Sequence, residues 1–474
     1  MIALITYQDL LRIGEDEQER KNFVYSAIAK YKQSDEYKNA IDAKRYYDGE
    51  NTTITQYEKI LYDMKGYAHK DIYSANHKVA SSFFRMVVDQ QVSYLLGNGV
   101  TFQNSNTKDK LGGIDTALSK IGRNALIGGV GYGFWNVDHL DVFSRKEFIA
   151  LKDERTGTVS AGIRFWQLDN DKPLYATLYE IDGYTEYAWE DGKDEAETVG
   201  EKRAYILKIT SSEAGEQVTE GMNYPSFPIV PLRNGEDEKS ELNGKKATID
   251  ALDLATSNMI NNVDEGNLIY WVLTNCGGMD EIDDARFIEQ LKLTHVTHAE
   301  GEAGARAEAH TLEAPYTGTA ATIDILKKRL YEDFMAFDSS AVTATNQSAT
   351  AIKASYIPLD LKCDKFEMYV IEFMDAVLKL AGIDDEVTFT RNQLINKQEE
   401  ISAVVSAANY LTEDYVTEKI LTILGDGDRA EEILKQRADD DFDRMKVEPV
   451  NEREGTEETG QEETDENTDE DTVV

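Results

Sequence analysis

Cysteine is almost missing: the 474 residues contain two, Cys276 and Cys363, far apart in the chain. Two distant thiols cannot build a disulfide framework or a four-thiolate zinc site, so a disulfide-stapled secreted fold is excluded and a reducing compartment is expected. Long apolar runs are missing too. No stretch approaches the roughly 18 uninterrupted apolar residues of a membrane span. The opening Met1-Ile2-Ala3-Leu4-Ile5 has neither the basic leader nor the length of a signal peptide, so no export signal is expected. Basic charge is scarce, with 50 Lys and Arg against 89 Asp and Glu and a formal charge of −39. Affinity for polyphosphate comes mainly from Lys and Arg displacing condensed counterions, so the surface as a whole is unsuited to wrapping nucleic acid, although a local basic ring remains open.

The length allows two to four domains of about 100–200 residues each. From Glu448 to Val474 the sequence holds twelve acidic residues against one Arg and almost no large apolar side chain. Such a segment cannot bury enough surface to offset the entropy of ordering it, and a disordered acidic tail is expected over 448–474. Before it, the fold class reads as α+β. Residues 9–62 are polar and helical in tendency, with the tyrosine-rich turn Arg45-Tyr46-Tyr47-Asp48-Gly49-Glu50. Asn76 is placed to cap a helix carrying Val79, Phe83, Met86, Val87 and Tyr94, which stops at Gly97-Asn98-Gly99. A second helix over about 111–126 runs into Gly128-Gly129-Val130-Gly131-Tyr132-Gly133. Short aromatic and β-branched segments then follow over 133–137, 147–151, 162–168, 174–179, 185–189 and 204–209, the pattern of an antiparallel β region.

Phe227-Pro228-Ile229-Val230-Pro231-Leu232 reads as a rigid linker, because closely spaced prolines resist both helix and central strand. A helix over about 246–265 places Ile249, Leu252, Met259, Ile260 and Val263 near one stripe, and a mixed insertion with short strands at 270–273 and 293–298 follows. Two strong helical patterns come next. Ile323, Leu326, Leu330, Phe334 and Phe337 form an amphipathic stripe. Leu359, Cys363, Phe366, Val370, Phe373, Val377 and Leu380 alternate by four and three before Gly382, which serves as the stop. Between them, 338–347 is small and polar. Residues 399–443 read as short helices broken at Gly425-Asp426-Gly427.

Several fragments imitate active sites. The Gly128–Gly133 run lacks the Gly-Lys-Ser/Thr ending of a phosphate cradle and follows a helix, so a helix-to-strand joint is expected. His295 and His298 have no third ligand nearby, and Asp426-Gly427-Asp428 and Asp439-Asp440-Asp441 lack the twelve-residue loop of a calcium hand. No metal, cofactor or catalytic residue is expected, and Cys363 reads as core.

The chain resembles the portal, or head-to-tail connector, proteins of tailed double-stranded DNA bacteriophages, in their siphovirus branch, over about residues 40–445. The resemblance rests on motifs in the family's order. They are Tyr46-Tyr47-Asp48-Gly49, Asn76-His77, and Tyr94-Leu95-Leu96-Gly97-Asn98-Gly99-Val100-Thr101-Phe102, followed by Pro228-Ile229-Val230-Pro231-Leu232 ahead of Ile249-Asp250. Most specific is Asn346-Gln347-Ser348-Ala349-Thr350-Ala351-Ile352-Lys353, similar to the family's N-x-S-G-x-A-x-K with Ala349 where the glycine stands. The resemblance implies a wing over 1–240, a first stem helix over 241–270, a clip over 271–317 and a second stem helix over 318–337. It then implies a tunnel loop of Asp338, Ser339, Ser340, Ala341, Val342, Thr343, Ala344, Thr345, Asn346 and Gln347. A long kinked helix over 348–385, a helical crown over 386–447 and the tail complete the order. Pro358 gives a physical reason for the kink.

The implied assembly is a ring of twelve subunits at one capsid vertex, built in the host cytoplasm and carried in the virion. Double-stranded DNA would pass through it, with the terminase motor, major capsid and scaffolding proteins and a head-tail adaptor as partners, and with no membrane and no enzymatic activity. Lys327, Lys328, Arg329 and Lys353 are candidates for a basic ring facing the DNA, and an exposed charge run is the plainer reading of each. The helical stripes suit either contacts between neighbours in a ring or the core of a monomer. An acidic wall lets DNA slide. The competing reading is an acidic intracellular adaptor without a pore.

Overall fold

The computed structural model describes residues 5–436 apart from 63–64, 73, 105, 191–196, 199–200, 212–216, 267–268, 275–281, 283–288, 290–305, 312–315, 341–348, 393–396, 425–426 and 431. The tail, Cys276, the histidine pair, the 293–298 segment, Asp426 and Asp439–Asp441 lie outside them. The chain divides into two compact units, Met1–Gln393 and Leu394–Val474.

Three helices open the first unit: α1 (Tyr7–Ile13), α2 (Glu17–Gln33) and α3 (Asp35–Tyr47). Each has a side-chain N-cap: Thr6, Asp16 and Ser34 accept from Asp9 N–H, Glu19 N–H and Tyr37 N–H, satisfying donors that the first turn leaves unpaired. After the short α4 (Thr52–Gln56), a hairpin pairs β1 (Ile60–Tyr62) with β2 (Ala68–Lys70). Then come α5 (Phe83–Leu96), β3 (Val100–Phe102), the single turn α6 (Thr107–Lys110) and α7 (Ile114–Gly128).

The expected β region is antiparallel. Strands β4 (Val130–Asn136) and β5 (His139–Ser144) form a three-stranded sheet with a later segment, and β6 (Phe148–Lys152), β7 (Val159–Trp166), β8 (Leu174–Glu180), β9 (Gly183–Trp189) and β10 (Glu197–Thr198) form a meander in chain order. The meander buries both faces by strand alternation. Ile149, Leu151, Ile163 and Leu178 pack on Val24 and Ile28 of α2, whereas Phe148 and Tyr179 join the main core. Strands β11 (Ile206–Ser211) and β12 (Gln217–Met222) form a separate hairpin.

The proline segment is a strand and not a linker. β13 (Ile229–Arg233) pairs with β4 at the edge of the three-stranded sheet, Pro231 opposite Tyr132, with Ile229 and Leu232 buried. An edge strand needs amide donors on one side only, which accommodates a residue without an N–H. The glycine run is the expected joint: Gly129 adopts φ 87° at the end of α7, and a Cβ there would stand 2.0 Å from Glu238 O.

The remaining elements of this unit are α8 (Lys246–Gly266), the pair β14 (Ile269–Thr274) and β15 (Arg306–Thr311), α9 (Tyr316–Asp333), α10 (Ala349–Ala381) and β16 (Val387–Phe389). All seven stripe residues of α10 are buried, and Gly382 at φ 68° follows the last turn. Residues 387–389 are a strand paired with β3 and not helix. Two further expectations need correction. The helix after Asn76 begins only at Phe83. On α8 Ile249 and Leu252 are buried as expected, but the buried line continues through Asp253, Ser257 and Asn261, while Ile260 and Val263 are exposed. One cause explains both. Residues 77–81 run extended beside α8, and the amides of Ser81, Val79 and His77 donate to Asp253 Oδ1 (3.1 Å), Ser257 Oγ (3.0 Å) and Asn261 Oδ1 (2.6 Å). Non-helical backbone brought against a helix needs acceptors, and polar residues every four positions supply them.

The second unit contains α11 (Lys397–Ala407), a 3-10 turn at Ala408–Tyr410 and α12 (Glu413–Leu424), followed by a 3-10 turn at Gly427–Arg429.

Candidate functional site

The chain entering the segment expected to form the tunnel loop is held by one buried assembly. α9 stops at Asp333 because the chain makes a left-handed turn at Met335 (φ 50°), with Ala336 N–H donating to Tyr331 O (2.9 Å) and Met335 N–H to Glu332 O (3.0 Å). This is a Schellman ending with methionine where glycine is usual. Phe334 and Phe337 are buried, as the stripe requires, but they lie past the helix.

Phe337 is then fixed through its backbone. Gln90 of α5 donates from Nε2 to Phe337 O (2.8 Å) and accepts from Phe337 N–H at Oε1 (3.0 Å), so one amide satisfies both polar groups of the residue. The Phe337 ring stacks on Tyr356 of α10 (centroids 4.0 Å, planes 6° apart), and Tyr356 stacks on Tyr94 of α5 (5.5 Å, 12°). The Tyr94 hydroxyl donates to Asp360. Immediately beyond, Asp338 Oδ1 accepts from Ser340 N–H (3.0 Å) and Oγ (2.6 Å), opening the loop with a polar turn.

A charged cluster braces the same junction. Glu241 Oε1 meets Lys245 Nζ (2.5 Å) and Lys362 Nζ (2.9 Å). Lys362 also donates to Phe334 O (3.0 Å), and Lys245 lies over the Phe334 ring at 4.5 Å. Burial pushes the Glu241 carboxyl up, but Lys362 and Lys245 outweigh it and hold the group below the ordinary carboxylate range. Burial pulls Lys362 below the ordinary lysine range against the opposing pull of Glu241. Both directions follow from one carboxylate serving two ammonium groups in a dry setting. The chain on the far side of α10 is tied back by Arg391, which meets Asp364 (2.7 Å) and Glu367 (2.5 Å), while Asn392 N–H donates to Tyr94 O (2.9 Å).

Of the loop residues proposed from sequence, Asp338, Ser339 and Ser340 are described and Asp338 is half-buried. Ala341, Val342, Thr343, Ala344, Thr345, Asn346 and Gln347 lie outside the described residues. Lys327, Lys328 and Arg329 are exposed on the last turns of α9, Arg329 Nε standing 3.6 Å from Asp333, and Lys353 is exposed on the second turn of α10. The basic candidates therefore flank the loop on both sides in the chain. Sequence reasoning missed Gln90, Glu241, Lys245, Tyr356 and Lys362; none sits in a motif, and only the lysine at 362, inside the apolar stripe of α10, signals a buried partner.

Burial pushes the Cys363 thiol up to about 12, the chemistry of an inert core residue. Among the described residues no group of three or more His, Cys, Asp or Glu is placed to hold a metal ion, and no helix is long and apolar enough to cross a membrane. A cavity of about 380 Å³ beside α3 is lined by Glu36, Tyr132, Arg145, Lys152 and Glu238. In it Arg145 pairs with Glu36 at 2.9 Å and Lys152 with Glu238 at 2.7 Å.

The helices α9 and α10 are set on a mixed α/β body, and the chain leaving α9 is anchored at Phe337. Residues 27–441 match the family described as "Phage portal protein, SPP1 Gp6-like". The chain is 24% identical over 401 residues to the portal protein of Bacillus phage SPP1, covering 76% of each, and 22% identical over 393 residues to that of Clostridium phage phiCD119, covering 76% of this chain and 84% of the relative. The chain belongs to the phage portal protein family, the component of the virion head that forms the DNA-packaging channel.

Proposed function

We propose that twelve copies close into a ring at a single capsid vertex and that residues 338–347 reach from each copy toward the DNA. The observation that carries this reading is the braced base. Gln90, Phe337, Tyr356 and Tyr94 fix where the chain leaves α9, against a point about two turns into α10. A loop pushed by a moving polymer needs a base that does not move with it, and stacked rings plus a two-point backbone clamp supply that stiffness.

In this reading 1–240 is the wing, 241–270 and 318–337 are the stem, 271–317 is the clip, 348–385 returns to the wing, and 386–447 is the crown. Lys327, Lys328, Arg329 and Lys353 place a sparse set of cations near the loop in a chain of charge −39, enough to touch phosphate without holding it. The ring has no catalytic step of its own. The terminase motor supplies the work, major capsid and scaffolding proteins seat the ring in the host cytoplasm, and a head-tail adaptor closes it.

The test is a flexible eight-residue insertion after Thr343, with a second variant carrying Thr343→Asp and Thr345→Asp. Rings should assemble as in the parent while packaged DNA per head falls at least about tenfold, as expected when like charge is set against phosphate in a confined channel. Normal packaging by both variants would remove residues 338–347 from the channel.

A further inference from the structure

The hairpin between α4 and α5 gathers several exposed apolar side chains. Among the described residues its strands pair only with each other, and all six strand residues are exposed. Tyr57, Ile60, Leu61, Tyr62 and Ile72 are each more than 40% exposed within sixteen residues of chain. A two-stranded hairpin is marginal unless a third element covers one face, and a concentrated exposed apolar patch marks a surface that is covered in the working state. The base of the hairpin is nonetheless fixed: Asp71 N–H donates to Lys59 O (2.9 Å), Lys59 Nζ to Ala75 O (2.7 Å) and Lys78 Nζ to Thr55 O (2.5 Å). It is a hairpin anchored at its base with exposed apolar side chains.

Its charge indicates what covers it. Residues 57–78 hold four Lys against three acidic residues, in a chain whose total is −39. A segment that is slightly basic in so acidic a chain suits an acidic apolar partner, and the chain itself carries one. On α10, opposite the buried stripe, Ile357, Leu361 and Met368 are more than half exposed and fall on one helical line. Residues 357–375 hold five acidic residues against two Lys, one of which, Lys362, is buried inward, and with Arg391 lying on Asp364 and Glu367 the face stays acidic on balance. A heterologous ring contact requires two different, mutually complementary patches on every copy, and these two meet that description.

We infer that the 57–72 hairpin of one copy packs on the outer face of α10 of the next copy, with the hairpin face that carries Leu61 against Ile357, Leu361 and Met368. The inference rests on the ring reading, and it specifies which surfaces make the ring.

The test uses the full chain with Cys276→Ser as the parent. Leu61→Cys and Leu361→Cys are made singly and together, and the assembled protein is oxidised with copper–phenanthroline. The double variant should give a covalent ladder on a non-reducing denaturing gel. A mixture of the two single variants should give dimers that neither forms alone. Leu61→Asp with Ile72→Asp should raise the concentration needed for ring assembly at least about tenfold, the loss expected of central apolar contact residues, while the melting curve of the monomer is unchanged. Rings that form normally in the aspartate variant, with no ladder in the double cysteine variant, overturn the hairpin contact and leave the ring standing. Rings that form normally while duplex DNA binding falls assign the hairpin to DNA, and normal rings with impaired seating in the head assign it to another head protein; both outcomes overturn the inference. A parent that forms no ring overturns the ring reading itself.

Discussion

Replacing Gln90 by Ala isolates the clamp at the base of the loop. The parent amide makes two hydrogen bonds to Phe337, at 2.8 and 3.0 Å, and the residue it holds is 7% exposed. Each bond contributes about 1 kcal/mol net, and an unmet buried backbone group costs about 1–3 kcal/mol, so the junction should lose about 2–4 kcal/mol. Water can reach a part-buried site, which favours the lower end. A loss of about 2 kcal/mol is roughly a thirtyfold rise in local opening. Hydrogen exchange of peptides spanning residues 331–340 measures that opening directly. Protection should fall about thirtyfold there and stay unchanged around Ile163 and Leu178, which pack with α2 in a separate core. Gln90→Glu, which keeps an acceptor for Phe337 N–H but loses the donor, should fall between Ala and parent. Exchange within threefold of the parent in Gln90→Ala would refute the clamp.

Two further perturbations test the same junction. A double-mutant cycle on Phe337→Leu and Tyr356→Leu should give a coupling of about 0.5–1.5 kcal/mol in urea unfolding, the range for a stacked aromatic pair, and zero coupling would mean the rings only share a core. Glu241 is held low when folded, so its contribution is fully present above the ordinary carboxylate range and is lost as pH falls through its folded pKa. Glu241→Gln should therefore lower stability at pH 7 and flatten the acid limb of the urea midpoint plotted against pH; a parallel downward shift of the whole curve would count against the charge argument.

The legible parts of the fold were those where one physical requirement governs many residues. The four-and-three spacing of Leu359 through Leu380 describes a helix buried along one line, and all seven side chains are buried. The glycine joint at 128–133 was legible for the same reason, because close helix-to-strand packing excludes side chains. The misreadings have separate causes. Pro231 argued against a strand, but an edge position removes the objection. Asn76 looked like a cap because the extended run after it has no pattern of its own; its amides are satisfied by Asp253, Ser257 and Asn261, almost two hundred positions later. That partnership also hid the buried face of α8, which is polar where amphipathic reasoning looks for apolar residues. The α9 stripe ran through Phe337 correctly as burial and wrongly as helix, since Met335 takes the left-handed turn that glycine usually announces. The clamp itself was not legible: one glutamine and one tyrosine on different helices have no shared periodicity.

Whether copies of this chain close into a channel is read from the native mass of the purified full chain, followed by imaging of the main species. The chain mass is 53.3 kDa. Twelve copies in a closed ring give about 640 kDa with an open axial hole in end-on views. A species that stays at the monomer mass across the concentration range, or a large species without an axial channel, would contradict the account.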